Sequence, residues 1–250
     1  MQELLGRYFL RRGMQDYVIR LGQNRLEIDC SRSVFMYRRY VEDALQSESI
    51  IMSDSSDDVV VGIFPIPPFQ TLMKAAKNVY LKFKSQIVLD QKSEAVLYSK
   101  IPIEIGIYRQ SKDEELLLDA FSLARQQFAL YGPPETGVVC RYKEVEISPK
   151  ESEIAATKYE EAIVRIRISN MIDNVVKVSR VIIPMEEIVL DHVHDDAWVP
   201  GSVEMNLDMA FGKDVVNVQL IGTSSKRGDK TSRLKKGNTD TLAFYMDAGY

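Results

Sequence analysis

The nine residues Val203-Glu204-Met205-Asn206-Leu207-Asp208-Met209-Ala210-Phe211 decide the fold class. Val203, Met205, Leu207, Met209 and Phe211 alternate with Glu204, Asn206, Asp208 and Ala210, the period of two expected of a strand with one buried face. After Gly212-Lys213-Asp214 the alternation resumes at Val216, Val218 and Leu220, and two such runs joined by a short Gly-containing turn predict an antiparallel hairpin.

The same rhythm extends outward along the chain. Tyr17, Ile19 and Leu21, then Gly22-Gln23-Asn24, then Leu26, Ile28 and Cys30 predict a second hairpin. Ala162, Val164, Ile166 and Ile168, the polar stretch Asn170 to Asn174 and the apolar run Val175 to Ile183 predict a third. Further strands are expected at Val34 to Tyr37, Val59 to Phe64, Val79 to Phe83, Ala95 to Tyr98 and Ile101 to Tyr108. Leu117, Phe121, Ala124, Phe128 and Tyr131 recur at helical spacing. The run ends, however, in Gly132-Pro133-Pro134-Glu135 before Val138 to Tyr142, which favours two strands joined by a proline turn. A short helix is expected around Phe69 to Lys77, after Pro65, Pro67 and Pro68, and a last strand at Leu242 to Met246.

These elements predict an all-β, mostly antiparallel protein of two β-sandwich-like halves with at most one or two short helices. Pro149 and the charged stretch from Ser148 to Lys158 interrupt the strand rhythm, so the expected division is 1–149 and 150–250. A chain of 250 residues with 45% hydrophobic and 27% charged residues has the composition to build such cores. A net charge of -4, spread along the chain, argues against a surface devoted wholly to nucleic acid. No stretch resembles a signal peptide or a membrane-spanning segment, and the expected compartment is the cytoplasm. Cys30 and Cys140 are the only cysteines, and two reduced thiols are expected.

Tyr37-Arg38-Arg39, Pro102-Ile103-Glu104-Ile105-Gly106, Ala129-Leu130-Tyr131-Gly132-Pro133-Pro134-Glu135 and Gly137-Val138-Val139-Cys140-Arg141-Tyr142 together resemble a mainly archaeal domain-of-unknown-function family, number 432. The resemblance implies a β-rich fold of this size and assigns no catalytic or ligand-binding residue.

Asp191-His192-Val193-His194-Asp195-Asp196 holds both histidines of the chain. In a strand, His192, His194 and Asp196 would project to one side and could share a transition metal such as zinc, iron or manganese. A polar loop is the alternative reading. Cys140 beside Arg141 suggests a lowered thiol pKa, although the Val138, Cys140, Tyr142 face reads more naturally as packing. Glu104 alternates away from Ile101, Ile103, Ile105 and Ile107; if buried it needs a cation, either Arg141 or an arginine of the Arg165 to Arg167 strand. Lys226, Arg227, Lys230, Arg233, Lys235 and Lys236 form a basic run that could meet phosphate groups of nucleic acid or an anionic membrane, or could be a solvated loop. No glycine-rich phosphate loop and no CxxC motif is present, and no catalytic residue is assigned. The expected role is non-enzymatic binding or assembly, with a protein partner or a second copy. A metal-dependent enzyme using His192 and His194, and an anion-surface module using residues 226–236, are the alternatives.

Overall fold

The computed structural model describes residues 3–11, 13–30, 34–52, 58–68, 76–111, 114–186, 188–210, 213–221 and 243–245. The basic run at 226–236 lies outside the described residues, as does most of the helix expected at 69–77.

In chain order the strands are β1 (Gly6–Arg11), β2 (Tyr17–Leu21), β3 (Asn24–Asp29), β4 (Phe35–Val41), β5 (Ala44–Ile51) and β6 (Asp58–Ile66). There follow β7 (Asn78–Leu89), β8 (Glu94–Pro102), β9 (Glu104–Gln110), β10 (Glu115–Phe121), β11 (Phe128–Tyr131) and β12 (Val138–Val145). The chain continues through β13 (Glu161–Asn170), β14 (Val176–Pro184), β15 (Asp191–Val193), β16 (Asp196–Trp198), β17 (Ser202–Ala210), β18 (Lys213–Ile221) and β19 (Ala243–Tyr245). Among the described residues the only helical turn is the short 3-10 segment Glu151–Glu153, and no helix is long and apolar enough to cross a membrane. The all-β reading therefore holds: the ambiguous stretch from Leu117 to Tyr131 holds the end of β10 and all of β11, with residues 122–127 between them in neither helix nor strand, and β11 pairs antiparallel with β12 across the proline turn.

Among the described residues, four sheets enclose two cores. The sheets β1-β6-β9-β10 and β2-β3-β4-β5 bury Leu10, Leu26, Phe35, Tyr37, Ile63 and Ile107 between them. The sheet β11-β12-β7-β14 and the sheet β15-β16-β13-β17-β18-β19, with β8 also paired to β13, enclose Leu81, Phe83, Ile101, Ile166, Ile183 and Met205. Residues on both sides of 149/150 share this second core. Most pairings are antiparallel, but β12 runs parallel to β7, and β13 runs parallel to β16 and β17.

The alternation in β17 has the expected outcome: Val203, Met205 and Leu207 are buried, and β18 pairs with it in an antiparallel hairpin. The β2–β3 hairpin also forms, and β19 pairs with β18.

The third expected hairpin does not form. β13 and β14 belong to opposite sheets of the second sandwich, so the segment between them is an arch. The buried Asn170 side chain explains the crossing. Its amide donates to the carbonyls of Asp90 (2.8 Å) and Asn174 (2.8 Å), and its carbonyl accepts from the Ile172 amide. These bonds tie the arch to the neighbouring β7–β8 connection, while Ile172 enters the core.

The continuous strand expected from Ile101 to Tyr108 is likewise divided. Ile101 and Ile103 face the second core, whereas Ile105 and Ile107 face the first. The Ile103 amide donates to the Glu160 carbonyl at the crossing, so Glu104 stands where the chain passes between sandwiches.

Candidate functional site

Side-chain chemistry concentrates at the junction of the two sandwiches. Alternation in β9 sends Ile105 and Ile107 inward and leaves Glu104, Gly106 and Tyr108 on the opposite face. From the other sandwich, β12 brings Arg141 to this place. Its guanidinium lies 2.7 Å from the Glu104 carboxylate and donates to Ser122 Oγ at 2.8 Å. Both charged side chains are buried, at 0% exposure for Glu104 and 4% for Arg141. Burial pulls the Arg141 pKa down, and the attraction of Glu104 opposes that pull. Of the two partners considered for Glu104, the structure selects Arg141. Ser122, just past β10, is a third member with no distinctive sequence signal.

The same alternation disposes of the activation argument for Cys140. Arg141 points away from it, and burial pushes the Cys140 thiol up to about 11, leaving it protonated near neutral pH.

The second feature of the junction is the hairpin β15–β16. His194 and Asp195 occupy its two turn positions with φ of 49° and 69°, the left-handed geometry of a tight hairpin turn. His192, His194 and Asp196 therefore do not line one strand. His192 pairs with Ala197 and Val193 with Asp196, which places His192 and Asp196 on opposite faces of the hairpin. The His194 imidazole is exposed and meets Glu3, while Asp196 is exposed 3.8 Å from Lys158. Among the described residues, no group of three or more His, Cys, Asp or Glu side chains is arranged to hold a metal ion.

Asp195, which carries no ligand-like signal of its own in the sequence, is the buried charged residue of this hairpin. It accepts the amides of Leu4 (3.0 Å) and Leu5 (2.9 Å) and the hydroxyl of Tyr159 (2.7 Å). Burial alone would raise its pKa, but these bonds and Lys158 together hold the carboxyl below the usual 3.8. The carboxylate thus anchors the segment entering β1 to the second sandwich. Asp and His tolerate left-handed backbone better than most residues, and that tolerance was the available signal for a turn.

His192 packs against Phe64 of β6, with ring centroids 5.8 Å apart. The Phe64 ring itself lies back over Gly62, whose missing Cβ makes the room. Burial lowers the His192 pKa from 6.5, opposed by Asp191, Asp195 and Glu3. The folded state therefore favours neutral imidazole. As pH falls through the unfolded value near 6.5, the unfolded chain takes up the proton first and stability declines toward the lower folded value. His192→Gln is expected to flatten the loss of stability that sets in as pH falls through the unfolded value near 6.5, measured by urea denaturation. Gly62→Ala is expected to cost about 1–3 kcal/mol by displacing the Phe64 ring. The same variant should move the His192 titration, followed by NMR, back toward its ordinary value; an unchanged titration would mean that Phe64 does not shield the imidazole.

Two sandwiches clamped by a buried ion pair and an acid-anchored hairpin define an all-β protein with an internally braced junction. The chain belongs to the family described as protein of unknown function (DUF432), whose model matches residues 6–247. No curated protein and no solved structure matches it.

Proposed function

We propose that this chain is a non-enzymatic binding or assembly module. The observation that carries this reading is the use made of Glu104, Asp195 and Glu161, the buried carboxylates among the described residues. Glu104 joins the two sandwiches through Arg141, and Asp195 joins the segment before β1 to the β15–β16 hairpin. Glu161 ties Lys100 of β8 to Lys143 of β12 and accepts the Thr157 amide. A general acid or base needs a group that can exchange a proton with substrate. These acids instead accept bonds that fix one structural element to another, as expected of a rigid body that presents surfaces.

Cys30 and Cys140 are buried free thiols, which suits a reducing compartment such as the cytoplasm. The available surfaces are strand edges and exposed apolar side chains, among them Phe9, Ile50 and Met52, at 68%, 61% and 65% exposure. Strand addition and face-to-face contact both use such features.

Native mass spectrometry of the chain isolated under mild conditions from its own cells tests the proposal. A stoichiometric assembly, with itself or with a second protein, is the expected result. A strictly monomeric chain without a stoichiometric companion would overturn it.

A further inference from the structure

Resting on the binding-module reading, we infer that the open edge of β5 recognises an extended protein segment carrying Lys or Arg opposite Glu48 and an apolar residue opposite Ile50. Among the described residues β5 pairs only with β4, so its other edge faces no strand. Two of the other margins, β14 and β10, are less suited to strand addition. β14 and β10 have register irregularities within their pairing, between Val178 and Arg180 and between Leu117 and Asp119. Natural sheets use such irregularities to discourage edge pairing. The irregularity of β5 lies near its start, leaving Ser47 to Ile51 in continuous register with β4.

Charge supplies the partner's chemistry. Register aligns Glu27 of β3 with Arg38 of β4, and Arg38 with Glu48 of β5, so the charge alternates across the sheet and stops at an acid on the open edge. Arg38 Nε lies 2.9 Å from Glu48, whose side chain remains 44% exposed. A cation on an added strand continues this alternation, because directly opposed charges of opposite sign stabilise a cross-strand pair and like charges destabilise it. The neighbouring outward residue, Ile50, is 61% exposed and offers apolar area to the same added strand. A second copy paired antiparallel about Glu48 would set acid against acid, which favours a different, basic partner.

The test uses the full chain and two labelled synthetic peptides of alternating valine and threonine, one with a central lysine and the other with a central glutamate. Fluorescence anisotropy should show saturable binding with about a fivefold preference for the lysine peptide, as expected for a cross-strand charge pair. Glu48→Lys, a substitution at an exposed side chain, should reverse that preference. Hydrogen exchange should slow at Glu48 and Ile50 when the preferred peptide binds. Absence of saturable binding, equal affinity for both peptides, or self-association abolished by Glu48→Lys would overturn the inference. If a stoichiometric native assembly persists while either peptide result fails, the basic-strand inference falls and the binding-module reading stands; a strictly monomeric native chain without a companion instead removes the binding-module reading.

Discussion

Glu104→Leu is expected to destabilise the protein by about 3–5 kcal/mol, because it strands the Arg141 guanidinium in a buried place with its carboxylate removed. At this chain length that is roughly 6–20 °C in the thermal midpoint. The corresponding double variant, Glu104→Leu with Arg141→Met, is expected to recover most of the loss, since replacing both members removes the unpaired charge. Trp198, the only tryptophan, lies in β16 of the second sandwich and reports locally on unfolding. Comparing its fluorescence with far-UV circular dichroism during urea denaturation tests whether the sandwiches still unfold together. Coincident wild-type transitions that separate in Glu104→Leu would identify the ion pair as a coupling joint. A single variant within about 1 kcal/mol of wild type would defeat the buried-charge argument.

Particular residues show where sequence alternation is informative and where it stops. Val203, Met205 and Leu207 disclosed the buried face of β17 because period-two burial is a local consequence of the pleat. The same alternation in Ile101, Ile103, Ile105 and Ile107 concealed a passage between cores. It reports that a side chain is buried, but not which core surrounds it. β13 and β14 illustrate a related limit, since a polar connector can close a hairpin or cross between sheets. Asn170 specifies the crossing by bonding across the connector to the Asn174 carbonyl and to the distant carbonyl of Asp90, which the local pattern does not contain.

The junction was legible to a similar extent. The physical cost of burying Glu104 required a cation and brought Arg141 into consideration, while Ser122 gave no comparable signal. In the Asp191-to-Asp196 stretch, the ligand-like residue types drew attention to His192, His194 and Asp196. The left-handed turn at His194 and Asp195 instead puts His192 and Asp196 on opposite faces of the hairpin and makes Asp195 the anchor. Side-chain identity was visible before folding, whereas the backbone conformation that aims each side chain depended on the assembled hairpin.

That anchor yields the other large expected effect. Asp195→Ala should cost about 2–4 kcal/mol, because it removes a charged acceptor shared by the Leu4 and Leu5 amides and the Tyr159 hydroxyl. Alanine is also less well suited to φ of 69°, so the backbone contribution needs a separate measurement. Asp195→Gly permits that conformation while removing the acceptors, and Asp195→Asn keeps one acceptor and tolerates the turn. The loss should consequently be smaller for Asn than for Gly or Ala, with faster hydrogen exchange at Leu4 and Leu5 in all three. Because the folded Asp195 pKa is lowered, its ionised form adds stability above the unfolded value near 3.8, and that contribution disappears as pH falls through the folded value. Asp195→Asn should lack this component of acid sensitivity. An unchanged acid profile in Asp195→Asn, together with unchanged exchange at Leu4 and Leu5 in Asp195→Ala, would show that the carboxylate does not hold the N-terminal segment.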